Sequence, residues 1–241
     1  MTNPERKAEF VEAASRGLFI TFEGLDGSGK TTQLRLLGER LRVEGYSIVE
    51  TVEPGGTEIG RHIRRVLLDP ANVAMAPITE LLLYFAARTQ NLEEVIVPAL
   101  RRGAVVLSDR YTDSSLAYQG AARGLGEDVV LLLHEVACAG LHPHLTVYVE
   151  IDEETSLARA RNRNRRLPLD GCTPETRLDE EADEFHRKVR LAFDRLAAQW
   201  QARYRRVDGR GTPEEVAARV WSAVTPALDA AALLERQGRH V

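Results

Sequence analysis

Gly24-Leu25-Asp26-Gly27-Ser28-Gly29-Lys30-Thr31 fits the pattern G-x-x-x-x-G-K-[ST], and its residue types suit one task, holding a phosphate chain. Glycines at its ends let backbone N–H groups turn toward a common point, and a lysine adds a mobile positive charge. Phosphates are expected along Gly24 to Thr32, with Lys30 reaching the β/γ-phosphates and the Thr31 hydroxyl on Mg²⁺. The flanks agree. Leu18 to Phe22 is β-branched and aromatic, and Leu34, Leu37 and Leu41 recur at helical spacing until Gly45. Strand, glycine turn and helix aim backbone donors and a helix N-terminus at an anion.

Other stretches offer chemistry to such a site. Asp109-Arg110-Tyr111 closes a short apolar run, where an acid downstream of a phosphate loop organises Mg²⁺; the plainer alternative is an Asp capping the next helix. Glu53-Pro54-Gly55-Gly56-Thr57 gathers turn formers at the carboxyl end of a strand, where open α/β sheets hold ligands. Tyr84 and Arg88 share a helix face, and spacing alone favours Tyr84 in the core and Arg88 in solvent. Ser114, Ser115, Tyr118, Gln119, Gly120 and Arg123 form a polar, glycine-flanked segment that suits a ligand's edge. Arg159, Arg161, Arg163, Arg165 and Arg166 fall close together. Such a run reads as a solvated face, as a nucleic-acid contact, or, behind a phosphate loop, as a lid whose guanidiniums engage phosphate oxygens. His142 and His144 lack the rest of a metal-ligand set and read as loop residues.

The elements that must position these groups follow from periodicity. Strands are predicted over 18–22, 47–52, 104–108, 145–149 and 204–207, with helical patterns between them. That order predicts an α/β fold, a five-stranded parallel sheet with helices on both faces, carrying a mobile Arg-rich lid at about 159–178. Residues 1–16 read as an extension outside the fold, 17–228 as a single P-loop domain, and 229–241 as a loose helical or disordered tail.

The chain has 241 residues, 44% hydrophobic and 28% charged, which suits one α/β domain. A formal net charge of −4 argues against broad nucleic-acid binding. Cys138 and Cys172 have no metal-ligand spacing and suit a reducing compartment. With no apolar stretch long enough to span a bilayer and none in residues 1–16, a cytoplasmic protein without a membrane partner is expected.

From about Gly17 to Val224 the sequence resembles the thymidylate kinase family. The matching pieces, in the family's order, are Phe22 to Gln33, Glu53-Pro54-Gly55-Gly56-Thr57, Tyr84-Phe85-Ala86-Ala87-Arg88, and Asp109-Arg110-Tyr111 with Ser114 to Gly120. Arg177-Leu178-Asp179-Glu180-Glu181 and Phe185-His186 also match. A P-loop without arginine resembles the bacterial type, whose phosphate-closing arginine lies in the lid. The resemblance implies transfer of the ATP γ-phosphate to dTMP with Mg²⁺ as cofactor, in a homodimer built on packed helices. It sets Asp26 near the deoxyribose 3′-hydroxyl, Tyr84 against thymine where the family usually has Phe, and Arg88 at O4. Ser115 and Gln119 would meet the rest of the base edge, Arg64 and Arg110 the dTMP phosphate, and Asp109 with Thr31 the metal; Glu53 and Tyr118 complete the substrate side. Lys30, Arg110 and the lid arginines, with Arg161 and Arg163 preferred, would neutralise charge during transfer. A dTMP phosphate is already largely anionic at neutral pH, so no general base is required.

The sequence departs from the family pattern in two places. Val52 stands where an arginine commonly precedes Glu-Pro-Gly-Gly-Thr, which leaves Arg61 or Arg64 to compensate, and the lid carries an insertion from Leu167 to Thr176. The alternative within enzymes is a deoxynucleoside kinase or another nucleoside monophosphate kinase; the former needs a base, Glu23 or Asp26, to deprotonate a hydroxyl. A GTPase-like switch would need a guanine-reading Asn-Lys-x-Asp, which the sequence lacks. A nucleic-acid-associated ATPase would rest on the arginine run.

Overall fold

The computed structural model describes residues 4–165 and 176–238, without the side chains of 157, 160, 161, 163–165 and 232–238. It opens with α1 (Pro4–Arg16), β1 (Leu18–Glu23), α2 (Lys30–Val43), β2 (Ile48–Val52), α3 (Glu58–Leu68) and α4 (Pro77–Asn91). The last runs through a π-helical turn (Leu92–Ile96) into α5 (Val97–Arg101), and β3 (Val105–Asp109) follows. Next come α6 (Thr112–Ser115), a π-helical segment (Leu116–Ala122), α7 (Glu127–Cys138), β4 (Leu145–Glu150) and α8 (Glu153–Arg165). After them lie α9 (Asp183–Gln199), β5 (Tyr204–Asp208) and α10 (Pro213–Gly238).

The strands form one sheet in the order β2-β3-β1-β4-β5, every neighbouring pair parallel, as the alternating pattern predicts. Strand alternation sorts the side chains. Leu18, Ile20 and Phe22 of β1, with Val105, Leu107, Val147 and Val149, pack under α2 and α10. On the opposite face Phe19, Val106 and Tyr148 pack with α4, α5, α7 and α9. Toward the carboxyl ends of β1 and β3 that second face turns polar yet stays buried, with Thr21, Glu23 and Ser108. The strand ends thereby deliver Gly24, Glu53 and Arg110 to one rim, the usual place for a ligand in an open α/β sheet.

Helix ends follow local chemistry. Asp152 caps α8 by accepting from Thr155 N and Oγ1, and Thr212 with Glu215 makes a reciprocal capping box at α10. Gly45, at φ +88°, follows the end of α2.

The N-terminal segment corrects the expectation. Residues 4–16 are not outside the fold: Phe10 and Ala13, three apart on α1, lie in the core. Arg6 donates to Ala137 O at 2.8 Å and pairs with Glu93, so a short apolar stripe on a polar helix is enough to dock it. At the other end α10 runs to Gly238, so the described part of the tail is helical, one of the two forms expected of it. Residues 166–175, which hold Arg166 and nearly all of the expected lid insertion, lie outside the described residues. No helix among those described is long and apolar enough to cross a membrane.

Candidate active site

The P-loop spans Gly24 to Gly29 between β1 and α2. Gly24 has φ +139°, and a Cβ there would stand 2.6 Å from Val149 O, so only glycine fits. Gly29, at φ +99°, leads into α2. Lys30 Nζ donates to Leu25 O at 2.7 Å. Burial, then the neighbouring Arg110 charge, pulls the lysine down to about 8 despite Asp26 and Asp109. Ser28 Oγ is buried without a hydrogen-bond partner among the described residues. Thr31 Oγ1 donates to Asp109 Oδ2, joining the loop to the end of β3.

That hydroxyl and carboxylate are hard oxygen donors, the kind Mg²⁺ takes. No group of three or more His, Cys, Asp and Glu that could hold a metal occurs among the described residues. The pair therefore suits an ion that shares its coordination with phosphate and water rather than one caged by protein.

Arg110, one residue beyond β3, has φ +73°, a conformation that L side chains rarely adopt. Its guanidinium returns over the P-loop: Nη2 meets Asp26 Oδ1 at 2.7 Å, and Nη1 meets Ser114 Oγ at 2.8 Å and Gly24 O at 3.2 Å. Tyr118 donates to Asp26 Oδ2 at 3.1 Å. Glu23 lies beneath, without solvent exposure, accepting from Tyr111 N at 2.7 Å and Ser114 Oγ at 2.6 Å. Burial, with the Asp113 charge, pushes its carboxyl up to about 8.

The opposite wall is built from β2, α4 and α6. Arg88 is 1% exposed; its Nε donates to Glu53 Oε2 at 2.6 Å and its Nη2 to Ser115 Oγ at 3.1 Å. Its Nη1 is buried and has no hydrogen-bond partner among the described residues. The expectation of a solvated Arg88 and a core Tyr84 is reversed: the arginine is buried and the tyrosine half-buried, because Glu53 waits across from α4. Asn91 completes the pair, donating to Glu53 Oε1 at 3.1 Å and accepting from Thr51 Oγ1.

One cavity of about 960 Å³ joins these groups. It is lined by Asp26 to Thr32, Glu53, Arg64, Tyr84, Arg88, Asp109, Arg110, Ser115, Tyr118 and Gln119. Gly24 and Leu25 support it from behind through their carbonyls. Gly209 and Gly211, after β5, with Pro213 and Val216 in the first turn of α10, extend its wall beyond the P-loop, a stretch that sequence reasoning did not single out as part of the site. Arg64 and Val52 both lie on the lining, and Arg64 donates to Pro54 O, whereas Arg61 pairs with Glu58 on the surface. Arg159 lines the cavity. Arg161 and Arg163 fall on α8, but their side chains lie outside the described residues. Arg177 is buried against Glu80, its backbone N–H donating to Leu68 O. The polar segment from Ser114 lies on the end of α6 and the π-helical segment, with Arg123 just beyond it and Leu116 and Ala117 in the core.

Sequence reasoning missed Glu80. It is without solvent exposure and accepts from Gln119, Arg123 and Arg177. Its spacing was the available signal: Glu80, Tyr84 and Arg88 repeat every four residues along one face of α4.

The thymidylate kinase family profile matches residues 22–220. A thymidylate kinase of Pelobacter propionicus is 50% identical over 200 residues, covering 83% of this chain and 90% of that protein. A Bacillus licheniformis thymidylate kinase is 44% identical over 212 residues, covering 88% of this chain and 97% of its own. The crystal structure of thymidylate kinase from Ehrlichia chaffeensis is similar at a TM-score of 0.69 and 28% identity, covering 87% of this chain and 98% of that one.

Proposed function

The chain belongs to the thymidylate kinase family and phosphorylates dTMP; we propose that it does so by holding Mg·ATP and dTMP in line and neutralising the charge between them. The γ-phosphoryl group passes to a dTMP phosphate oxygen, giving dTDP and ADP. Residues 24–32 hold the ATP phosphates, with Lys30 at the β/γ-phosphates. Thr31 and Asp109 hold Mg²⁺, which when bound supplies Lewis-acid neutralisation of phosphate oxygens. Arg110 and Arg64 hold the dTMP phosphate, Asp26 and Tyr118 its sugar side, and Tyr84 the thymine face. Arg88, carried by Glu53, donates to O4, and Ser115 and Gln119 meet the remaining base edge. Arg161 and Arg163 close over the transferring phosphate from the lid at about 159–178 of a kinase domain spanning 17–228.

The observation that carries this reading is Arg88. Its guanidinium is shut away from water, and one donor has no partner among the described residues, which is costly unless a ligand oxygen completes it. It lines the same cavity as the phosphate loop, which suits a substrate with an anionic end and a carbonyl-bearing base.

The deoxynucleoside kinase alternative needs a base at the cavity. Glu23 is buried beneath the lining, engaged by Tyr111 and Ser114, and Asp26 is paired with Arg110, which favours the monophosphate acceptor. The homodimer has a suitable surface in Ile59 and Val66 of α3 and Ile78 and Leu82 of α4, all large, apolar and exposed. A cytoplasmic location, with no nucleic-acid or membrane partner, completes the proposal.

Coupled ADP release with Mg·ATP tests it against dTMP, dUMP, dCMP, dGMP and thymidine side by side. Turnover with dTMP, weaker with dUMP and none with thymidine is expected. Turnover with thymidine but not dTMP would move the acceptor to a hydroxyl and overturn the reading.

A further inference from the structure

Glu80 accepts Gln119 Nε2–H at 2.8 Å, and the guanidiniums of Arg177 at 2.7 Å and Arg123 at 3.2 Å flank the same carboxylate. All of this lies on the inner side of α4, with Glu80 fully buried and Arg177 nearly so. Between two guanidiniums the carboxylate is ionised and has no hydrogen to give. A primary amide facing it has one choice: its NH₂ must point at Glu80, and its carbonyl oxygen must point away. Gln119 lines the cavity and Glu80 does not, so the oxygen is the end turned toward the ligand.

We propose that Glu80 is a specificity-determining positioning residue, which makes Gln119 an acceptor toward the base and so selects a pyrimidine with a ring N–H over one with a bare ring nitrogen. The inference rests on the reading that Gln119 faces the base edge. Thymine carries N3–H between two carbonyls; cytosine offers an unprotonated N3 beside an amino group. An amide oxygen pairs with the first and opposes the second, and a site built to hydrogen-bond one pattern discriminates through the partners it leaves unpaired in the other. Nothing in the family motifs quoted above assigns Glu80 this task, and the bland account, an ion cluster that merely braces α4, makes different predictions.

The test compares kcat/KM for dTMP and for 5-methyl-dCMP, which keeps the methyl group, in the wild type, Glu80→Gln and Glu80→Asp. A glutamine at 80 donates as readily as it accepts, so Gln119 turns over, and the dTMP preference falls by about tenfold or more. An aspartate remains acceptor-only, so Glu80→Asp keeps the preference within about threefold even as overall activity drops. If both folded variants lose activity on the two substrates in equal proportion, the bracing account holds and the proposal is overturned. Should Glu80→Gln not fold, amide hydrogen exchange of the Gln119 side-chain NH₂ in the free wild-type protein decides. Slow exchange is expected, and exchange at the rate of exposed glutamines would overturn the orientation. A wild type without dTMP turnover sinks the functional reading beneath the proposal, whereas the exchange measurement needs no substrate and tests the orientation by itself.

Discussion

Arg88 Nε donates to Glu53 Oε2 across 2.6 Å with both side chains closed off from solvent, and this pair joins α4 to the end of β2. Burial opposes the charge on each, yet the Glu53 carboxylate outweighs it and raises the Arg88 pKa. Removing one partner of such a pair leaves an uncompensated charge in the interior, at a cost of about 3–5 kcal/mol. Glu53→Ala is therefore expected to lower thermal stability by that amount and to raise KM for dTMP, read from thermal unfolding and steady-state kinetics of the same preparation. Full stability and unchanged KM would remove the pair from the account.

Arg110 combines a rare backbone conformation with a central side chain, and the two effects separate by substitution. Arg110→Ala and Arg110→Gly both lose the guanidinium, and kcat/KM for dTMP should fall by about 10²–10³ in each. Glycine tolerates φ +73° and alanine does not, so Arg110→Gly should be the more stable of the two by about 1 kcal/mol in denaturant unfolding. Equal stabilities would contradict the strain.

Lys30 gives a pH signature. Its folded pKa, about 8, lies below the ordinary lysine value of 10.5, so between these values the unfolded chain binds a proton that the folded chain does not. This group's contribution to stability therefore rises with pH across that window. Triphosphate binding has the opposite demand, since phosphate favours the ammonium. Calorimetry in buffers of different ionisation enthalpy should show proton uptake on Mg·ATP binding near pH 8.5, absent in Lys30→Met. Equal uptake by the two proteins would assign the proton elsewhere.

Asp109 and Thr31 are expected to act on the metal requirement more than on nucleotide affinity. Asp109→Asn should raise the half-saturating Mg²⁺ concentration by about tenfold and lower kcat, with ATP binding measured without Mg²⁺ little changed. An unaltered Mg²⁺ titration would leave Asp109 as a strand-end residue only.

Much of the fold was legible because its signals are local. The β-branched runs at Leu18 and Val105 announce strands, and Thr212-Pro213-Glu214-Glu215 announces a helix start. The P-loop was legible because Gly24 and Gly29 hold backbone angles that other residues reach only with strain. What stayed hidden depends on partners distant in the chain. Arg88 reads as solvated until Glu53, thirty-five residues earlier, is brought against it. Glu80 was missed because Arg123 and Arg177, which surround it, lie far along the chain. Phe10 and Ala13 are too sparse an apolar stripe to mark α1 as part of the core, and only the groove beside α5 shows what they fill.

The most direct test of the central claim, transfer by positioning and charge neutralisation at the P-loop, is kcat for dTMP-dependent ADP release by Lys30→Ala beside the wild type, with folding followed by thermal unfolding. The account predicts a folded protein whose kcat is lower by about 10³-fold, roughly 4 kcal/mol of lost transition-state stabilisation. A folded Lys30→Ala protein turning over dTMP within about tenfold of the wild type would contradict it.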